Sequence, residues 1–163
     1  DLNRAVPLLK IFAEELIKRS KFDLGLTIII TCVDRTILEQ MALVIQGRLK
    51  LKSVNIARIT AGLSPLKSEE ENKIVSWTLD SKHVINPFDS IVDNDKSRAF
   101  DYGVLDSNGK YMGDLKADVN NDNQSDYEQV CKLAEKIRDE MDIPIVLGRD
   151  FSTPDYPHIQ LGV

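Results

Sequence analysis

The sequence predicts an α+β fold, in which a small, mainly antiparallel sheet packs against flanking helices. Amphipathic helical patterns dominate the first half of the chain, and short β-branched or alternating segments dominate the second half, where one long helix interrupts them. A parallel sheet would instead require strands and helices that alternate regularly. With 163 residues, of which 42% are hydrophobic, we expect a single domain spanning residues 1–163.

The first half of the chain carries several helix signals and one strand signal. Apolar residues of segment 2–20 recur on one helical face: Val6, Leu9, Phe12, Leu16 and Ile17. Residues 26–33, LTIIITCV, are mostly β-branched or apolar, which predicts a strand buried on both faces. Thr36 and Glu39 form a capping-box pattern before a second helix. Ser68 and Glu71 repeat this pattern before a short helix towards Trp77, which we expect in the core.

The second half of the chain predicts strands around one long helix. Residues 97–105 alternate and precede Asn108-Gly109, which is typical of a hairpin turn. Ser125 is placed to cap a helix that ends near Met141. Residues 143–148, IPIVLG, and 158–163, HIQLGV, are predicted to form the last two strands.

Composition and charge exclude several classes of function. The formal net charge of −5 argues against nucleic acid as a partner, because no overall basic field is present to hold a polyanion. The longest apolar run is too short to span a bilayer, and no segment has the pattern of a signal peptide. Cys32 and Cys131 lack C-x-x-C spacing, so we expect both to pack as small apolar residues.

Both histidines of the chain lie in aspartate-rich segments marked by proline. His83 stands in DSKHVINPFD and His158 in PDYPHIQLGV. Catalytic zinc sites use three protein ligands drawn from His, Asp, Glu or Cys, and keep a fourth position open. Two histidines and one carboxylate supply such a set, and Asp101 is the favoured carboxylate because it follows Ala99-Phe100 in the alternating segment.

In chain order, these segments resemble the S-x-H, A-x-D and acid-x-x-His signature of the zinc peptidases of bacterial cell walls. The family includes D-Ala-D-Ala carboxypeptidases and dipeptidases, and phage L-alanyl-D-glutamate endopeptidases. Residues 32–40, CVDRTILEQ, match its arginine and glutamine with Arg35 and Gln40. Residues 147–158 match a further segment with Gly148, Asp150 and Phe151. The resemblance extends from about residue 24 to residue 161. Within the family, the sequence looks most like the phage and prophage endolysin branch.

The resemblance implies a hedgehog/DD-peptidase-like zinc peptidase fold and a hydrolase that cleaves peptidoglycan stem peptides. L-alanyl-D-glutamate endopeptidase activity is the first expectation. D-Ala-D-Ala carboxypeptidase or dipeptidase activity is the nearest alternative, and a non-catalytic wall-binding module on the same fold is the third. We expect a monomer that acts on the cell wall, in the periplasm or outside the cell, after phage- or prophage-type release.

The resemblance also implies a role for each matched residue. It assigns Zn²⁺ to three ligands: His83, Asp101 and His158. Asp155 becomes the general base that takes a proton from the attacking water. Arg35 becomes the group that stabilises the oxyanion of the tetrahedral intermediate. Ser81 and Gln40 are expected to bind the substrate.

This sequence departs from the family pattern between the first two ligands. Seventeen residues separate His83 from Asp101, and Arg98 stands where the family has glycine. We expect the additional residues 86–95, NPFDSIVDND, to loop out, which costs little free energy. The aspartates of this insertion remain alternative second ligands: Asp89, Asp93 and Asp95. Asp150 either orients a ligating histidine or is a solvent-facing turn residue.

Residues 118–129, DVNNDNQSDYEQ, match the front half of a twelve-residue EF-hand calcium loop. Oxygen donors occupy loop positions 1, 3, 5, 7 and 9: Asp118, Asn120, Asp122, Gln124 and Asp126. The back half departs from the pattern, because Asn123 replaces the glycine at position 6 and Gln129 replaces the glutamate at position 12. Two interpretations stay open: a weak Ca²⁺ site, or a turn in which Ser125 caps the next helix.

Overall fold

A computed structural model describes residues 1–85 and 96–162 of the chain. The helices are α1 (Pro7–Leu24), α2 (Ile37–Ile45), α3 (Leu51–Thr60) and α4 (Asp126–Met141). The strands are β1 (Thr27–Cys32), β2 (Ala99–Leu105), β3 (Tyr111–Met112), β4 (Ile145–Leu147) and β5 (His158–Leu161). Short 3-10 helices lie at Leu2–Arg4, Glu69–Glu71 and Gly148–Asp150. The predicted α+β class is confirmed.

The chain forms two compact units. One, here called the sheet unit, comprises Asp1–Val33 and Arg98–Val163, and the other, the helical unit, comprises Asp34–Ser97. The prediction of a single domain stays a prediction. Among residues 1–85 and 96–162, no helix has both the length and the apolar character needed to cross a membrane.

The sheet has the strand order β1-β2-β5-β4, and every described pairing in it is antiparallel. Strand β2 is central, because it pairs with β1 along one side and with β5 and β3 along the other. The predicted hairpin forms between β2 and β3, with Gly109 at φ +78° in its turn. The register places Asp101 opposite Cys32 of β1 and opposite His158 of β5.

The core of the sheet unit lies between the sheet and two helices, since α1 packs against both α4 and β1. Its largest fully buried side chains include Tyr102, Tyr127, Phe12 and Phe100. The rings of Tyr102 and Tyr127 lie 5.7 Å apart between centroids. Ser125 caps α4 by accepting a hydrogen bond from the Glu128 backbone N–H, so the predicted start and end of this helix are confirmed.

Strand β1 corrects one expectation. Within β1 the only buried residue is Ile28, and Ile29 is 39% exposed, so the predicted burial on both faces is wrong. The reason lies in the sheet order. β1 is the edge strand of an antiparallel sheet that packs its core on one face, so a β-branched run alone does not imply two covered faces.

The helical unit begins with the predicted capping box. Thr36 Oγ1 accepts from the Glu39 backbone N–H at 3.1 Å, and Glu39 Oε2 accepts from the Thr36 backbone N–H at 2.6 Å. Helix α3 was not predicted, because its apolar residues do not share an inward face. Val54 is buried, whereas Ile56 and Ile59 are about three-fifths exposed.

The second predicted capping box does not form. Ser68 makes no capping hydrogen bond, and Glu71 Oε2 instead accepts from the Lys67 backbone N–H at 2.7 Å. Only the three-residue 3-10 helix follows, so the predicted helix towards Trp77 is wrong. Trp77 is 67% exposed instead of lying in the core, with the Arg48 guanidinium 5.4 Å from its ring centroid.

Side-chain amides hold the irregular segments of the helical unit. Gln46 Nε2 donates to the backbone carbonyls of Glu71 and Lys73, at 3.3 and 3.1 Å. Asn55 pairs with Leu66 through both its amide nitrogen and its amide oxygen, at 3.0 and 2.8 Å. These bonds fix the chain after α3 where regular secondary structure is sparse.

Candidate metal centre

Three side chains with metal-binding donors occupy neighbouring strands of the sheet unit. Asp101 on β2 lies between Cys32 at the end of β1 and His158 at the start of β5. His158 Nδ1 lies 3.0 Å from Asp101 Oδ1. The Cys32 sulfur lies within 4.8 Å of an Asp101 carboxylate oxygen. The sheet therefore places a thiol on one side of the Asp101 carboxylate and an imidazole on the other, from positions that are distant in sequence.

The two ring nitrogens of His158 have different environments. Nε2 lies 2.9 Å from Gln160 Oε1, a contact that is a hydrogen bond in the tautomer protonated at Nε2. In that tautomer, Nδ1 presents a lone pair on the side of the Asp101 carboxylate, and a metal ion could bind both groups.

The Asp101 and His158 pair fits a zinc ion. Zinc bonds of about 2.0–2.2 Å at tetrahedral angles place two ligand atoms roughly 3.3 Å apart, which is close to the 3.0 Å observed between Nδ1 and Oδ1. The Gln160 contact is also of the kind that fixes the orientation of a ligating histidine through its second ring nitrogen.

A tight turn joins Asp155 to His158. The Asp155 carbonyl accepts from the His158 backbone N–H at 3.0 Å, and the Gly148 carbonyl accepts from the Asp155 backbone N–H at 2.9 Å. A Cβ at Gly148 would lie 2.2 Å from the Asp155 carbonyl oxygen and 2.8 Å from His158 Cβ, so only glycine permits this approach. The Phe151 ring lies 5.5 Å from the His158 ring. The exposed Asp155 is thus anchored by its backbone beside His158.

Asp150 has the contacts of a turn residue. It is exposed, and its Oδ1 accepts from Arg149 Nε at 3.2 Å. Arg149 in turn pairs with Glu135 at 2.6 Å and with Glu128 at 3.4 Å, which attaches the segment after β4 to α4. Of the two roles considered for Asp150, this geometry favours the solvent-facing one.

The helical unit contains the other predicted site residues. Arg35 forms a parallel bridge with Val84, in which the Arg35 backbone N–H donates to the His83 carbonyl at 2.9 Å. His83 is 1% exposed, and its backbone N–H lies 3.4 Å from Ser81 Oγ. This bridge places Arg35 next to the segment that carries Ser81 and His83, within the helical unit.

Gln40 supports Arg35 from within α2. Its Oε1 accepts from Arg35 Nη1 at 3.4 Å, and its Nε2 donates to Ser76 Oγ at 2.8 Å and to the Thr78 carbonyl at 2.6 Å. Gln40 is 1% exposed. These contacts give it the geometry of a positioning residue for Arg35, and its predicted contact with substrate stays a prediction.

Cys32 is the candidate ligand that sequence reasoning missed. It is half-buried at the end of β1, whereas Cys131 is fully buried and burial raises the pKa of its thiol to about 11. Simple apolar packing therefore describes Cys131, but it does not account for the carboxylate beside Cys32. The cross-strand register alone reveals that neighbour. The alternative ligands Asp89, Asp93 and Asp95 lie outside the described residues.

The predicted calcium loop is a compact turn before α4. Asn120 Nδ2 donates to the Leu24 carbonyl at 3.3 Å, which links the loop to the end of α1. The Gln124 backbone N–H donates to Asp122 Oδ1 at 2.9 Å. The Ser125 cap required by the turn interpretation is present, and a cap of this kind is compatible with a bound cation.

Comparison with known proteins supports the fold. No family model and no curated protein matches the sequence. Among solved structures, the crystal structure of the L-Ala D-Glu endopeptidase ChiX from Serratia marcescens is similar, with a TM-score of 0.51 and 16% sequence identity. The match covers 99% of this chain and 83% of that chain. At this identity the likeness establishes a shared α+β fold, which is the fold predicted from the sequence.

Proposed function

We propose that the chain is a zinc-dependent hydrolase that cleaves peptide bonds in bacterial peptidoglycan. The L-Ala–D-Glu bond of the stem peptide is the proposed substrate. Two findings support the class: the fold is shared with an endopeptidase whose name gives this bond, and the sequence carries the S-x-H, A-x-D and acid-x-x-His segments in the family's order.

The Asp101 and His158 pair carries the proposal. A carboxylate oxygen and an imidazole nitrogen face each other at 3.0 Å, while the second ring nitrogen contacts Gln160. In a metal centre, this arrangement leaves Nδ1 ready to bind.

The proposed ligands are the two residues of this pair together with His83, which is assigned from its place in the Ser81-Lys82-His83 segment. All three are donors that zinc accepts in catalytic sites. A zinc ion bound there supplies Lewis acidity for the scissile carbonyl and for the attacking water.

The remaining residues would move protons and stabilise charge. Asp155 takes a proton from the water and delivers it to the leaving amine, and its exposure and its anchored backbone beside His158 suit that task. Arg35 donates hydrogen bonds to the developing oxyanion, with its guanidinium positioned by Gln40. Ser81 is the proposed substrate contact on the segment that leads to His83.

The proposed place of action is the cell wall, reached by release of the phage or prophage type, with the protein acting as a monomer. This part of the proposal rests on the resemblance in sequence to the endolysin branch.

Metal removal tests the proposal. Protein stripped of metal by a chelator should release no peptide from purified peptidoglycan, and activity should return with about one zinc per chain. His158→Ala should lose zinc and activity together, whereas Asp139→Asn, which removes a mostly exposed carboxylate on α4, should keep both. Full activity of the metal-free protein, or of His158→Ala, would contradict the proposal.

A further inference from the structure

The loop before α4 winds around the carboxylate of Asp118. Asp118 Oδ1 accepts from the Asp122 backbone N–H and Oδ2 accepts from the Asn123 backbone N–H, both at 3.0 Å. Asn123 has φ +64°, the left-handed conformation that asparagine tolerates better than most residues. The loop thus makes the sharp turn at position 6 for which an EF-hand uses glycine.

A buried, unpaired carboxylate oxygen points to a ligand at this loop. Asp126 is 0% exposed, and its Oδ2 accepts from the backbone N–H of Val119, so the carboxylate faces the loop. Among residues 1–85 and 96–162, no hydrogen-bond partner reaches Asp126 Oδ1. An unsatisfied buried carboxylate oxygen is costly, and a bound cation would satisfy it.

Other negatively charged side chains lie close to the Asp126 carboxylate. Burial raises the pKa of Asp126, the hydrogen bond from Val119 lowers it, and the charges of Asp118 and Asp122 raise it again. Two further carboxylates close to the buried Asp126 carboxylate, those of Asp118 and Asp122, give the loop a charge distribution that a divalent cation stabilises.

The side chain at position 12 reaches into the loop despite its departure from the EF-hand pattern. Gln129 is buried, and its Nε2 lies 3.2 Å from Asp122 Oδ1 at position 5. A half-turn of the amide exchanges its nitrogen for Oε1, a neutral oxygen ligand. Position 12 can therefore contribute one oxygen where glutamate would contribute two.

We propose that residues 118–129 bind one Ca²⁺ ion. The ligands are the carboxylates of Asp118, Asp122 and Asp126, with oxygens of Asn120, Gln124 and Gln129. A mixed set of six oxygens on a short loop suits Ca²⁺ better than Mg²⁺, which demands a near-ideal octahedron and retains its waters. The missing bidentate glutamate places the dissociation constant at about 10⁻⁴–10⁻³ M. The site is independent of the proposed peptidase activity.

Calcium titration of the zinc-loaded chain tests the proposal. CaCl₂ should give a one-site heat of binding and, at ten times the dissociation constant, raise the melting temperature by roughly 3–6 °C. Asp118→Ala and Asp122→Ala should abolish both responses. Gln129→Glu should restore the bidentate ligand and tighten binding by about tenfold or more.

Asp126→Asn keeps the acceptor for the Val119 N–H while removing the buried charge, so it controls for folding. In EGTA it should melt no lower than the wild type, yet it should lose the response to Ca²⁺. Asp139→Asn removes one carboxylate outside the loop and should respond like the wild type. Absence of heat and of a melting shift at several millimolar Ca²⁺, or a shift that persists in Asp118→Ala and Asp126→Asn, would overturn the site.

Discussion

At the level of single residues, Asp101 lies in the middle of the candidate centre, because the strand register places it opposite Cys32 on β1 and opposite His158 on β5. The segments around His83, Asp101 and His158 are visible as motifs, and the structure places Asp101 and His158 3.0 Å apart. The sequence does not indicate that Cys32 lies beside Asp101, because only the register of β1 against β2 places the two residues opposite each other.

The proposed general base can be separated from the ligands by an isosteric change. Asp155→Asn removes the proton acceptor but keeps the shape of the turn to His158, so zinc should stay bound while turnover falls by about 10²-fold or more. Zinc content and initial rate of peptide release measure the two effects. Asp150→Asn, the same change at another exposed aspartate nearby, should behave like the wild type. Loss of zinc from Asp155→Asn would instead make Asp155 a ligand.

The role of Cys32 is tested by removing its thiol. If His83, Asp101 and His158 are the ligands, Cys32→Ala should retain about one zinc per chain and most of its activity, since the three proposed donors remain. Zinc affinity measured by competition with a chelator decides the point. A large loss of affinity in Cys32→Ala, with none in His158→Ala, would place the sulfur in the metal's coordination sphere and exclude the imidazole.

At the scale of elements, local signals predicted the structure where the stabilising contacts are local. The Thr36 and Ser125 caps form as expected because each is completed within three residues. The capping box predicted at Ser68 does not form, because the Glu71 side chain accepts a hydrogen bond from the Lys67 backbone N–H instead. Strand β1 is buried on one face and not on both, because it lies at the edge of the sheet. The amide contacts of Gln46 and Asn55 join distant segments, so no sequence period indicates them.

The turn that carries Asp155 and His158 depends on Gly148. Gly148→Ala should destabilise the protein by about 1–3 kcal/mol and lower zinc affinity, since the added methyl overlaps the Asp155 carbonyl and displaces the turn. Gly109→Ala is the control: it meets no atom within 4 Å and introduces only backbone strain at positive φ, far along the hairpin. Urea unfolding and zinc titration measure both variants. Unchanged zinc affinity in Gly148→Ala would contradict the role given to this glycine.

At the scale of the whole molecule, the α+β class followed from the order of helix and strand signals, and the similarity to the Serratia endopeptidase confirms it. The division into a sheet unit and a helical unit was not foreseen, since the composition does not change sharply at residue 34 or residue 97. Asp101, Asp155 and His158 lie in the sheet unit, and Arg35 and His83 lie in the helical unit.

We propose that the chain is a zinc peptidase acting on the stem peptide of peptidoglycan. The most direct test incubates the zinc-loaded protein with purified muropeptides and measures product masses by mass spectrometry. Cleavage between L-Ala and D-Glu, lost after chelation and restored by zinc, is the predicted result. Release of a terminal D-Ala would retain the zinc peptidase and change the bond. Muropeptides that stay intact in the presence of protein carrying one zinc per chain would contradict the proposed peptidase activity.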